Sequence, residues 1–204
     1  MVTSAFNQNA IDPGAAELLG QELLKEVAGG GNLNVIDSYI KRGASLASVD
    51  DKGNTAALLA TQQKNDAVAE KLLAAGSDPN ATNKQGLSGL AYLSMDGPHG
   101  QGNSHLARVY LDHNANPDIT YKGIAVLAWA ARIGFRDVAM AIGEKADIGL
   151  KSGNRNLTAI EWAEDNNKNT IARDLRALAE RKRDAAIEAE RAAQARAARE
   201  AEES

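Results

Sequence analysis

Residues 53–80 read GNTAALLATQQKNDAVAEKLLAAGSDPN. The stretch is a turn at Gly53-Asn54, a short apolar helix, a polar turn at Lys64-Asn65, a longer helix, and an exit turn at Gly76 to Asn80. It recurs. Aligning the chain on Gly53 puts Gly86, Gly123 and Asn156 at the same place, in steps of 33, 37 and 33 residues. A period of this size is the sign of stacked units, each too small to bury its own apolar face and each completed by its neighbour.

The matching positions define the unit more closely. Asp50, Gly53, Thr55, Ala60, Val68, Leu72, Leu73, Gly76, Asp78 and Asn80 mark one copy. Gly123, Leu127, Ala130, Ala131, Gly134, Asp137, Val138, Ala146 and Asp147 mark a later one, and Asn156, Thr158, Ala159, Ile160, Ala163, Ile171, Ala172 and Leu175 the last. An opening half-unit runs from Gly31 to Ser45. This pattern resembles the ankyrin repeat over residues 17–178. The resemblance implies an all-α solenoid of about five degenerate helix-turn-helix units with short β-turn fingers, followed here by a long C-terminal helix. The family's Thr-Pro-Leu-His is replaced at 55–58, 88–91, 125–128 and 158–161, and its histidine is absent from all four. The bonds it makes between units are then missing, which predicts an irregular array of modest stability. One unit also lacks the glycine expected before Ala146.

Composition agrees with a stack. Aromatic residues make up 4% of the 204, too few for one large core, while alanine lets helices approach closely. There are no cysteines, so disulfides and thiolate metal sites are excluded. No apolar run is long enough to span a membrane. Met1 to Gly14 lacks the basic start and apolar stretch of a signal peptide. The cytoplasm is the default expectation, with a secreted or periplasmic place left open. A net charge of −4 gives no general attraction to nucleic acid.

In order, 1–14 reads as a flexible lead-in, 15–178 as the repeat domain and 179–204 as a charged helical tail. Helices are expected at Ala15–Ala28 and Leu33–Arg42, the first cap, with Leu18, Leu19, Leu23, Leu24 and Val27 as one apolar stripe. Further helices are expected at Thr55–Gln63, Asp66–Ala75, Ser88–Ser94, Leu106–Asp112 after a capping Ser104, Val126–Ile133, Thr158–Asp165 and from Asn169 onward. Asn156 stands in for glycine because asparagine tolerates the left-handed region. About four residues are inserted between Met95 and Asn103, a loop holding His99. The tail is built of Ala, Arg and Glu, the best helix formers. Glu188 with Arg191, and Arg196 with Glu200, are spaced for charge pairs. From Asn169 to Glu200 a continuous helix would be about 48 Å long. Ile187 is the one large apolar residue after Leu178, too few for a strong coiled-coil seam.

No catalytic constellation and no cofactor motif is present. Gly29-Gly30-Gly31 and Gly97 to Gly102 lack the lysine-serine ending of a phosphate loop. The spacings of His99, His105 and His113 match no zinc pattern, so no metal is assigned. What remains is recognition of another protein, as an adaptor, a scaffold or an inhibitor of the immunity type; bacterial effectors of this family are a further variant. The resemblance implies binding by finger tips and by the concave face of the first helices. On that register the candidates are Asp51, Lys52 and Asn54; Lys84, Gln85 and Leu87; Met95; Tyr121, Lys122 and Ile124; Arg132 and Ile133; and Arg155 and Leu157. Leu59, Tyr92, Trp129 and Trp162 form one column, read either as core or as the lining of a groove. The rival functions are a small-molecule or metal sensor on loop 95–103 and self-association through the tail. A monomer is expected, with a tail-mediated dimer as the alternative.

Overall fold

The computed structural model describes residues 12–95 and 103–202. The lead-in before Asp12 and the interior of the inserted loop, His99 included, lie outside the described residues. The chain forms two compact units, 12–95 with 103–116, and 117–202.

The first unit holds three helix pairs: α1 (Pro13–Ala28) with α2 (Leu33–Lys41), α3 (Ala56–Gln62) with α4 (Asp66–Ala74), and α5 (Gly89–Met95) with α6 (Ser104–Asp112). Local chemistry sets their ends. Asp12 caps α1 ahead of Pro13, whose missing N–H costs nothing in the first turn. The hydroxyls of Thr55 and Ser88 take the N–H groups of Leu58 and Ala91. Asn32, Asn65 and Asn103 cap the second helix of each pair. The cap of α6 is therefore Asn103, whose side chain accepts from Leu106 N at 2.9 Å, and Ser104 is already helical. Asparagine wins because its carbonyl reaches the exposed N–H groups from outside the helix.

Leu23, Val27, Ile36, Leu58, Val68, Leu72, Leu90 and Leu106 are the buried core of this unit, with Ala56, Ala60, Ala69 and Ala107 at the close approaches. Leu18 departs from the expected stripe and is 71% exposed, since α1 packs on one side only. The fingers are tied by amides in place of the absent histidines. Asn54 donates to Asp50 at 2.9 Å and accepts from Gln62 at 3.1 Å and from Asn83 at 3.0 Å.

Tyr110 fills the centre, 2% exposed, its hydroxyl 2.8 Å from that of Thr61. Thr61 donates to Ala57 O, so Tyr110 donates to Thr61. Burial pushes its phenol up to about 12. An unfolded tyrosine ionises near pH 10, so the unfolded chain loses this proton first. The stabilisation is complete below about pH 10 and is lost as pH rises towards about 12. In an absorbance titration of tyrosinate, Tyr110→Phe should remove a late step near pH 12. A high-pH end of the titration that Tyr110→Phe leaves unchanged would contradict this packing.

The second unit begins with β1 (Thr120–Tyr121) and β2 (Ile124–Ala125), paired Thr120 to Ala125 and Tyr121 to Ile124. Lys122 and Gly123, at φ 50° and 75°, make the two-residue turn whose twist suits a hairpin. Then come α7 (Val126–Ile133), α8 (Arg136–Lys145), α9 (Ala159–Asp165) and α10 (Asn169–Glu202). Asn156 has φ 51°, the left-handed conformation its glycine-equivalent position requires. Thr158 and Glu161 cap α9 reciprocally. Val126, Leu127, Val138, Ile142, Ile171, Leu175 and Leu178 are buried between these helices.

α10 has 34 residues and is about 51 Å long. Beyond Lys182 its described side chains are exposed. Among the described residues, Glu188 with Arg191 and Arg196 with Glu200 do not close as ion pairs; Arg183 with Asp184 does. No described helix is both long and apolar enough to cross a membrane.

Candidate functional site

The second unit gathers seven of the candidates on the hairpin, the end of α7 and the loop before α9. The hairpin carries Tyr121, Lys122 and Ile124. Its short turn leads straight into α7, which sets Trp129 and Arg132 one turn apart on one face. α9 packs on α7 and brings Trp162 beside them.

The contacts form a continuous chain. Trp129 Nε1 donates to Tyr121 O at 3.0 Å, and Trp162 Nε1 to Ser152 O at 3.4 Å. The guanidinium of Arg132 lies over both indoles, 5.2 Å from one ring and 5.3 Å from the other. Lys122 lies 5.2 Å from the ring of Tyr121. Lys122, Ile124, Gly153, Asn154, Arg155 and Trp162 line an open cavity of about 310 Å³. Its floor admits only glycine at 153: φ is +76°, and a Cβ would stand 2.9 Å from Trp162 and 3.2 Å from Ile124.

The charges are unevenly spent. Arg155 grips Asp165 with two N–H groups, one of them at 3.0 Å. That hydrogen bond first, then the charges of Arg155 and Arg132, holds the Asp165 carboxyl below its ordinary range. Glu161 is held low by the N–H and hydroxyl of Thr158. Glu164 is taken by Arg176. Among the described residues, Arg132 and Lys122 have rings beneath them and no hydrogen-bonded carboxylate. An aromatic face attracts a cation without neutralising it.

The aromatic column splits between the two readings given to it. Trp162 is 7% exposed and counts as core, while Leu59, Tyr92 and Trp129 are half-buried. Ile133 and Leu157 are half-buried too. In the first unit, Asp51, Lys52, Lys84 and Gln85 are exposed on adjacent fingers, where Lys84 Nζ donates to Asp51 O at 2.7 Å. Met95 is half-buried at the end of α5. Asn54 and Leu87 are corrections to their expected exposure, at 1% and 8%. Asn54 is consumed by the amide ladder, and Leu87 packs inward beside Ser88.

His105 pairs with Glu70 at 2.5 Å and His113 donates to Val109 O at 2.9 Å. Among the described residues no three histidines or carboxylates converge as a metal site.

No curated protein matches the chain. Residues 52–84 match the family model for the ankyrin repeat. Those residues span the finger, both helices and the exit turn of the stretch from which the period was read. The same finger conformation and helix pairing occur at 120–145 and 152–178. Residues 52–84 are thus an ankyrin repeat, and the helix pairs of the chain fit further ankyrin-like repeats around it.

Proposed function

We propose that the chain is a non-catalytic recognition protein that binds another protein through the hairpin and α7 face of its second unit. Ankyrin repeats are generally protein–protein interaction modules, and the family is typically non-catalytic. The observation that carries the reading is Arg132 held over two tryptophans beside an open cavity. Aromatic and arginine side chains on rigid elements are the usual anchors of protein interfaces. Here both are fixed before any partner arrives, which lowers the entropy cost of binding. The first unit's exposed fingers carry lysine and glutamine instead, and lysine is depleted from interface cores.

The test is affinity capture from native lysate with three chains side by side: intact, Tyr121→Ala with Ile124→Ala, and one ending at Arg183. The expected result is a partner retained by the shortened chain and lost by the double variant. A partner that survives the double variant, or disappears only on shortening, overturns the assignment.

A further inference from the structure

We propose that the second unit's surface takes an acidic, extended peptide segment of its partner, a carboxylate meeting Arg132 and Lys122 while a neighbouring apolar side chain enters the cavity against Ile124 and Trp162. This rests on the recognition surface argued above and adds the chemistry of what it recognises.

Three observations support it. First, charge: Asp165 lies beside Arg155 and Arg132 and Glu161 beside Lys151, and both carboxylates are already engaged by hydrogen bonds, Asp165 with Arg155 and Glu161 with Thr158, while Lys122 adds a further cation. The patch is cationic on a chain whose net charge is −4, so its sign is local. Second, geometry: Arg132 is clamped over the indoles yet makes no hydrogen bond among the described residues. A stacked guanidinium keeps its edge N–H groups free, and that fork matches a carboxylate. Third, shape: the cavity is small and lined by Ile124 and Trp162 with basic residues at its rim. An apolar side chain can enter it while the residues next to that side chain meet the basic rim. Arg132 already occupies a stacking position over each indole, and Trp162 is only 7% exposed, which disfavours a stacked nucleotide base.

Both tryptophans of the chain lie in this site, so intrinsic fluorescence reports on it alone. The probes are short synthetic peptides with one central leucine flanked by glutamates, by serines or by lysines, together with an oligodeoxythymidylate of similar charge. The glutamate peptide should shift the emission saturably and weaken with added salt, while the serine and lysine peptides do not. Arg132→Gln should lower its affinity about tenfold. Lys122→Glu, at an exposed turn, should weaken the glutamate peptide and admit the lysine one. Equal binding of the glutamate and lysine peptides, or indifference to both substitutions, overturns the proposal. Equal binding of the oligonucleotide would make the site a general polyanion surface and overturn it as well. If capture from lysate depends on Tyr121 and Ile124 but the glutamate peptide fails, the surface stands and only its acidic preference falls. If capture is indifferent to those residues, the surface itself is lost.

Discussion

Gly89→Ala should damage the packing of the first unit severely, costing about 3 kcal/mol. Helix propensity alone argues the opposite sign, since alanine is favoured over glycine inside a helix by about 1 kcal/mol. Packing decides. A Cβ on Gly89 would lie 2.2 Å from Tyr110 Cζ and 2.3 Å from its hydroxyl. The ring has no room to withdraw, being 2% exposed and bonded to Thr61. Either α5 must move off α6 or the ring must leave its site and strand the hydroxyl. Thermal unfolding checks the size of the effect. The double variant with Tyr110→Leu, which removes the obstructing atoms, should lose less than the sum of the two single changes. An unchanged melting temperature for Gly89→Ala would show that α5 and α6 are not packed as described.

How much of this was legible in the sequence differs from residue to residue. The period, the paired helices and the left-handed Asn156 follow from local rules, because turns and caps depend on neighbours a few residues away. Gly89 was not legible. In sequence it is a glycine inside an expected helix, a weak point; its role depends on Tyr110, 21 residues later, turning inward. Asn54 was misplaced for a similar reason. A polar residue at a finger tip reads as exposed, and only the approach of Asn83 and Gln62 makes it the hub of a buried ladder. The site lay between these cases. Trp129 and Trp162 were visible as a column and Arg132 as the end of a helix, but their meeting requires α9 to lie against α7. Periodicity gives that neighbourhood without giving the rotamers that stack the guanidinium on the rings.

Lys182 supplies the second large expected effect. α8 ends without the left-handed glycine that closes other second helices: Ala146 is extended, at φ −75° and ψ 161°. Its last carbonyls therefore lack the partners that a glycine-terminated turn would provide. Lys182 reaches back from α10 and donates to Gly143 O at 3.0 Å and Ala146 O at 2.6 Å. Arg181 adds a long contact with Glu144 at 3.5 Å. A half-buried ammonium on helix-terminal carbonyls combines charge-assisted hydrogen bonds with a favourable dipole. Lys182→Met keeps the aliphatic stem and removes the donors, so it should cost about 1–2 kcal/mol. The length of the tail then has a sharp threshold. A chain ending at Arg183 keeps this cap and discards only exposed helix, so it should melt within a few degrees of the intact protein. A chain ending at Glu180 loses the cap and should melt well below it. Equal melting of the two shortened chains would mean that Lys182 is a surface lysine and that α8 closes unaided. The start of the charged tail is therefore part of the repeat fold, doing by a contact distant in sequence what a glycine does locally elsewhere.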